Sequence, residues 1–569
     1  MGLTASLSIG RTALTAYQAA LAAVGNNLAN AATPGYSRLS ARLTAIAGPA
    51  FGTEGQLGGG VRMASVKRNV SESLQARLRT ATSDKESAST EQSSLDRVEG
   101  VFNPLGDMNL GTLLGDFFTA WGNLQNNPEN IAARGVVINA AGTLTEKIRH
   151  DRGELEKLQT DLNTQIVEAT READEIATKI ADLNTQIVTA EGGTGGSASA
   201  LRDQRDQLLG DLSKLFGITV CEQPSGAINV YVGNEPLVQY GQSFGLKTDT
   251  ELDSNGLAKT VVRLVQNDGL IRVTGGSVEG LMTTRDSHVA EQLDRLDTLA
   301  AALIREVNTI HASGRGLEGF SSLTSQTAVL DPAAALSDTD NGLAFVPKTG
   351  SFFIDVKDAT TGATVRTQIH VDLDGIGTDS TLNSVAADIN ANVAGVTATV
   401  LADGRLQLTA AAGGTFSFAD DTSGFLASMG LNAFLSGTDS ADIDVSDLVS
   451  ANPALVAAAR SDSVGDGSNA TAMATLQGQA VSSLGGASLN DYYTTTMANL
   501  AVKQSGARSA AEASGIIFDS LTAQRESLSG VNTDEEAIAM VSYQRAYQGA
   551  ARYLTVVDEM MQTLLALGQ

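Results

Sequence analysis

Apolar residues recur at every seventh position near both ends of this chain. Near the start, Leu7, Leu14, Leu21 and Leu28 form one row and Tyr17 and Val24 take the interleaved positions, while Arg11, Gln18 and Asn26 lie elsewhere. Such a repeat is a heptad seam and predicts an amphipathic helix. The helix is predicted to stop within "VGNNLANAATPGYSR", Val24 to Arg38, because Asn26, Asn27 and Asn30 are weak helix formers and Pro34 cannot continue it. Pro34 and Gly35 suit the two central positions of a type II turn ahead of Tyr36. Gly-rich, strand-like sequence follows in "FGTEGQLGGGVRMASVKR".

The far end carries a second seam. Met540, Tyr547, Leu554 and Met561 form one row, and Tyr543, Ala550, Val557 and Leu564 the other. Thr533 and Glu536 have capping-box spacing, and Asp534, Glu535 and Glu536 place carboxylates in the first turn, where the helix dipole favours them. Between the ends, "DLNTQIV" occurs at Asp161–Val167 and again at Asp182–Val188, three heptads on, so both copies present one face. Leu162, Ala169, Ile176 and Leu183 keep that phase, as do Ile166, Ala173, Ile180 and Ile187, which predicts a long coiled-coil-like helix.

A Gly-rich break, "EGGTGGSAS", leads into the helical "LRDQRDQLLGDLSKLFG", whose run Arg202–Asp206 reads as a solvated face with local ion pairs. Further helices are expected near 71–100, 110–150, 284–312 and 467–525. Residues 217–276 and about 321–455 change period and read as strands between turn signals, with one short helix in "TLNSVAADINANV".

The expected fold class is therefore α+β: an elongated multi-domain chain with coiled-coil-like helical terminal and rod domains and strand-rich outer insertions. Residues 1–65 would pair with 530–569 as an inner assembly domain. Segments 66–216, 277–320 and 456–529 would make a helical rod domain, 217–276 a small strand-rich excursion from it, and 321–455 an outer strand-rich domain. An isolated amphipathic helix that buries nothing is marginal in water. Each terminal seam must therefore pack, either on the other seam within the chain or on neighbouring copies, and the pattern leaves both open. The candidate assembly residues are those of the seams, Leu7, Leu14, Tyr17, Leu21, Val24, Leu28, Met540, Tyr543, Tyr547, Leu554, Val557, Met561 and Leu564, with Pro34, Gly35 and Tyr36 at the turn.

Composition narrows the function. At 569 residues and 42% hydrophobic the chain can bury a large core, but aromatics make up only 4%, so small and aliphatic side chains must do most of the packing. A formal charge of -26 opposes binding to nucleic acid, whose phosphates would be repelled over most of the surface, and disfavours an anionic membrane. Cys221 is the only cysteine, which precludes an intramolecular disulfide or a cysteine metal cluster. No apolar run approaches the roughly 18 residues of a membrane span. No basic region precedes "ALTAYQAALAAV", so a cleaved signal peptide is not expected.

Candidate chemistry is thin. "GQSFG" matches the nucleophile-elbow pattern, but polar, turn-like sequence follows where that motif needs a helix. His150, His288, His311 and His370 are scattered singly and none falls in H-E-x-x-H. "DLDGIGTD" resembles the start of a calcium loop, yet its twelfth position is Asn383 instead of Glu, and a solvated hairpin turn outweighs a metal site. No catalytic residues, metal ligands or cofactors are expected.

Several segments resemble the flagellar hook-associated protein 1 family. "NNLANAATPGYSR" is similar to a signature shared by rod, hook and hook-associated proteins. More specific are "LRDQRDQLLGDLSKLFGITV", "LDRLDTLAAALIREVNTIHASG", "NPALVAAARSDSVGDGSNATAMATLQ" and "SLSGVNTDEEAIAMVSYQRAYQGAARYLTVVDEMMQTLL", which run in family order. The 321–455 segment matches more loosely, and Thr533 stands where the family usually has Leu. The resemblance implies a secreted structural component of the bacterial flagellum that joins hook to filament, with terminal helices polymerising around the export channel. It implies export through the flagellar export apparatus without a cleaved leader, and a chaperone that holds the C-terminal helix beforehand. Its partners would be further copies in a ring, the hook protein and a second junction protein, with no nucleic acid and no membrane insertion. Alternatives are another axial protein (hook, rod or flagellin-like) or a filament scaffold carrying a surface enzyme. "LRDQRDQL" and "SGVNTDEE" with "YQRAYQ" speak against the axial alternatives, and the scaffold would need a site in 321–455.

Overall fold

The structure, a computed structural model, describes residues 3–47, 58–102, 106, 108–192, 198–343, 345–358, 361–463 and 465–567. The middle of the Gly-rich break, 193–197, and the start of the strand-like stretch, 51–57, lie outside them. The elements run in chain order as α1 (Leu3–Ala29), β1 (Leu39–Ala45), β2 (Val61–Arg68), α2 (Glu72–Phe102), α3 (Leu110–Leu124), α4 (Ile131–Glu191) and α5 (Ser199–Leu215). The strands β3 (Ile218–Glu222), β4 (Ile228–Val232), β5 (Glu235–Gln239), β6 (Gln242–Ser243), β7 (Leu246–Leu252) and β8 (Ala258–Leu264) come next. Helix α6 (Gly276–Thr283) passes through a π-helical turn, Thr284–Val289, into α7 (Ala290–Ala312). Strands β9 (Ser322–Thr324), β10 (Gly350–Lys357) and β11 (Thr364–Val371), helix α8 (Leu382–Asn392), and strands β12 (Val396–Val400), β13 (Leu406–Ala410) and β14 (Thr415–Ala419) follow. The chain closes with α9 (Phe425–Ser428), β15 (Leu435–Ser436), β16 (Asp444–Val445), α10 (Asp447–Ala451), α11 (Ser468–Thr475), α12 (Leu489–Ser529) and α13 (Thr533–Leu567). The fold is mixed α+β, dominated by helix.

Two compact units divide the chain. The first comprises residues 1–94, 160–285 and 505–569, the second 95–159 and 286–504. Their boundaries fall inside α2, α4, the π-helical turn between α6 and α7, and α12, where continuous helix gives no linker signal.

In the first unit β3–β4–β5–β6 form one antiparallel sheet and β7–β8 a separate hairpin. The repeated "DLNTQIV" of α4 has a defined job here. Asn184, buried, donates from Nδ2 to the Ile228 carbonyl at 2.8 Å and accepts the Ile228 N–H at 3.1 Å, while Arg205 of α5 donates to its Oδ1 at 3.0 Å. Asn163, in the first copy, donates to the Ala258 carbonyl at 2.7 Å and accepts the Thr260 N–H at 3.0 Å, and Arg285 donates to its Oδ1 at 2.8 Å. A carboxamide offers one acceptor and two donors, so each asparagine pairs with a strand as a neighbouring peptide would. The two copies are thus two docking points, one for β4 and one for β8.

The same contact recurs in the second unit, where Asn308 of α7 meets Phe434 and Leu435, and Asn390 of α8 meets both backbone groups of Ala398. Arg202–Asp206, expected as a solvated face, is instead interlocked. Arg205 is buried, Arg202 bridges Glu191 and Glu222, and Asp203 and Asp206 both receive Arg68 of β2 at 3.0 and 2.6 Å. Helical spacing alone cannot distinguish a charge that reaches water from one that reaches a neighbouring element.

The strand-rich 321–455 segment lies within the second unit. Its strands form the sheets β11–β10–β14 and β12–β13–β9, and their apolar faces share one core with α3, α7 and α11. Aromatics, scarce overall, concentrate in it. Phe434 lies 5.3 Å from Trp121 and from His311, and Phe352 stacks on Phe425 at 5.4 Å. These pairings join residues 73 to 313 positions apart, which period alone does not reveal. Ser243 of "GQSFG" ends strand β6 and strand β7 comes next, so no helix follows it. In the "DLDGIGTD" turn, Asp374 and Asp379 accept backbone N–H groups of Ile376 and Gly375.

His311 is wholly buried in this core. Its Nδ1–H donates to the Asn432 carbonyl at 2.7 Å and its Nε2 accepts the Ala457 N–H at 2.9 Å, which fixes the neutral tautomer. Burial pushes its pKa down from 6.5 to about 4. The unfolded chain therefore binds the extra proton first as pH falls. This contribution to stability is complete above about pH 6.5 and is lost progressively toward pH 4, by roughly 3 kcal/mol in all. Calorimetry over that range should show the transition of the second unit falling with acidification, and His311→Gln should flatten the dependence.

Candidate assembly interface

The two terminal helices pair with each other. The buried row of α1 is Gly10, Ala16, Ala20, Ala23, Val24 and Asn27. At one end of the pair a Cβ on Gly10 would lie 2.6 Å from Leu554 Cγ, and at the other Asn27 bonds Glu536, so α1 and α13 run antiparallel. Small residues at the contact allow this close approach. On α13, Val557 is buried at 3% exposure; Met540, Tyr543, Tyr547, Leu554 and Met561 are half-buried, and Leu564 is 55% exposed. On α1, Leu7, Leu14, Tyr17 and Leu21 are half-buried, Val24 is buried and Leu28 is exposed. The leucine row thus flanks an interface whose centre is alanine and glycine.

A polar knot locks the N-terminal end of α13 to this pair. Asn27 donates to the Leu39 carbonyl at 2.9 Å and accepts the Leu39 N–H at 2.8 Å, fixing the start of β1 to α1. Its Nδ2 also donates to Glu536 Oε2 at 3.0 Å, and the Tyr36 hydroxyl donates to its Oδ1 at 2.8 Å. Arg38 completes the knot, with Nε 2.7 Å from Glu536 and Nη1 3.1 Å from Glu535. Burial, with Asp203 and Glu536 nearby, pushes the Tyr36 hydroxyl up to about 12, so it stays protonated and donating. The turn forms as expected: Gly35 has φ +80° and the Tyr36 N–H donates to the Thr33 carbonyl at 3.3 Å.

The expected capping box does not form. Asn532, an equally good cap, accepts the Asp534 N–H at 3.0 Å, leaving Glu536 for Asn27 and Arg38. Seam counting passed over Asn27, Arg38 and this role of Glu536. One signal was present: Asn27 continues the row Ala13, Ala20 at heptad spacing, a polar residue where a small apolar one is expected.

A second apolar stripe on α13 faces away from α1. Ile538, Val541, Val556 and Met560 are all substantially exposed. At about 100° per residue, Ile538, Val556 and Met560 fall within roughly 40° of one another. Large exposed apolar stripes on a soluble chain mark surfaces that pack against something.

Comparison with known proteins bears on what these elements are. Residues 7–36, α1 with its turn, match the flagella basal body rod protein family, and residues 523–567, containing α13, match the C-terminal region of the flagellar basal body rod FlgEFG proteins. Residues 95–324 match the helical domain of flagellar hook-associated protein FlgK. Flagellar hook-associated protein 1 of Salmonella typhimurium is 27% identical over 567 residues, covering 97% of this chain and 98% of that protein. Over nearly its whole length the chain is similar to the flagellar hook-associated protein 1 family. The Bacillus subtilis member is 25% identical, covering 98% of this chain and 97% of that protein. The solved flagellar hook junction protein FlgK from Burkholderia pseudomallei shares the fold, with a TM-score of 0.50 and 16% identity over 80% of this chain and all of that one. The rod-type matches cover the paired ends and the hook-associated match covers the helical middle, which separates this family from rod and hook proteins sharing only the ends.

Proposed function

We propose that the chain is a structural, non-catalytic part of the flagellar axis, placed at the junction between hook and filament. The observation that carries this is the exposed apolar stripe of α13, borne on a helix pair whose own seam is already closed. Such a stripe is free to pack against neighbouring copies while the seam keeps each subunit intact. In this reading the inward-facing seam residues, Met540 to Met561, act within the subunit. Ile538, Val556, Met560 and Leu564, together with Leu28, form the contacts between subunits. Pro34, Gly35 and Tyr36 set the angle at which α1 leaves β1. The partners are further copies in a ring around the export channel, the hook protein and a second junction protein. Before export, a chaperone covers the same α13 stripe, and the chain leaves the cell through the flagellar export apparatus without losing a leader. In cells lacking their own hook-associated protein 1, expression of this chain with its cognate hook should restore filaments. Hooks that remain bare although the chain is exported would overturn the assignment.

A further inference from the structure

Charge is segregated along this chain of net charge -26. Residues 1–71 carry six basic residues and a single carboxylate, Glu54, which lies outside the described residues. Strands β1 and β2 pair as a two-stranded ribbon, and one face of it, with Leu39, Leu43, Met63 and Val66 half-buried, packs on α1. The other face is cationic. Lys67 pairs with Ser40, Arg42 with Ser65 and Arg62 with Thr44, at steps of about 7 Å along the ribbon. A bulge that leaves Ala64 unpaired brings Arg62 round to the face of Lys67, which strict alternation would deny it. Arg38 and Arg68 are held by carboxylates, but Lys67, Arg42 and Arg62 are exposed and meet no hydrogen bond or ion pair among the described residues.

The second half of α12, in the same unit, carries the opposite charge on one face. Glu512, Asp519 and Glu526 recur every seventh residue, so they share that face at intervals of about 10 Å. All three are exposed and unpaired among the described residues. Arg508, one turn before Glu512, forms no ion pair with it, and Arg525 lies about 100° round the helix from Glu526. Beside the row Ile516, 70% exposed, stands among the small and exposed Ala513, Ser520 and Ala523. A surface of this net charge repels its own copies, so a contact between copies is favoured where the sign is locally reversed. We propose that the cationic ribbon face of one copy lies along this acidic face of α12 in the next. Lys67, Arg42 and Arg62 meet the carboxylate row, their flexible stems taking up the difference in spacing, and the small residues between them cover Ile516. The contact is heterologous, joining two different patches, and so propagates from copy to copy until a ring closes. It rests on the reading that copies assemble side by side, and adds a contact outside the terminal helices.

The test uses full-length chains in a Cys221→Ser background. One chain carries Ala64→Cys on the ribbon, another Ala523→Cys on α12, and a control carries Thr178→Cys on the exposed face of α4. Oxidising the first two together should give a covalent heterodimer roughly tenfold faster than Ala64→Cys with the control, since docking raises effective concentration. Adding Arg42→Glu and Lys67→Glu to the ribbon chain should bring the rate down to that of the control, and so should adding Asp519→Lys and Glu526→Lys to the α12 chain. Mixing the two reversed chains should restore the original rate, a recovery that damage to either fold would not produce. None of these groups is paired within its own chain among the described residues, so each variant should melt as its parent does. Equal rates with the control chain, indifference to either reversal, or no recovery when the reversals are combined would overturn the contact. If a chain that failed in this way still rebuilt filaments on hooks, the junction reading would stand while this contact fell.

Discussion

Glu536→Ala should loosen both ends of the chain at once. The substitution leaves the buried Asn27 amide and the Arg38 guanidinium without the carboxylate that joins them. Breaking a buried pair from one side costs roughly 3–5 kcal/mol. Arg38 keeps some access to water and to Glu535, which places the cost here at the lower end. Amides of α1 and α13 should then exchange on the order of a hundredfold faster, while those of the second unit should be unmoved. Glu536→Gln retains an acceptor for Asn27 but loses the charge, so it should fall between the two. Unchanged exchange in Glu536→Ala would mean the knot contributes nothing to holding the ends together.

Much of this architecture was legible because apolar period reports directly on burial. The α13 seam is the clearest case. Met540, Tyr543, Tyr547, Leu554, Val557 and Met561 all turn toward α1, and only Leu564, near the end of the helix, lies open. In α4, Ile166, Ala173, Ile180 and Ile187 are all fully buried, as their phase required. The turn at Pro34–Gly35 could be read from residue chemistry alone, since few residues other than glycine tolerate a φ of +80°.

What escaped the sequence was polar and long-range. Asn27 and Glu536 are 509 positions apart, and nothing in the local pattern of either names the other. Arg205 resembles an exposed helix charge until α4 and the turn before β4 close over it. The alanine centre of the α1 contact was missed for a related reason. Leucines stand out in a heptad count, but the closest packing occurs where the side chains are smallest. The core shared by the 321–455 strands with α3 and α7 depends on which faces meet, and alternation along a strand gives a face without its partner.

The account holds that the outer stripe of α13 is an intersubunit surface and that the inner seam is not. The most direct measurement adds purified protein to isolated hooks, bypassing export, and counts occupied tips for the unsubstituted chain and for Val556→Lys with Met560→Lys. Both residues are 53% exposed, so their replacement removes little internal packing. Lysines in the C-terminal half of a helix suit its dipole, and on a chain of charge -26 they lessen repulsion between copies, so general electrostatics cannot explain a failure. Burying two unpaired ammonium groups against a neighbour costs several kcal/mol, which lowers binding by about a thousandfold. The predicted result is an unchanged melt and helical content with hook tips left essentially bare; a variant that caps hooks as efficiently as the unsubstituted chain would contradict the account.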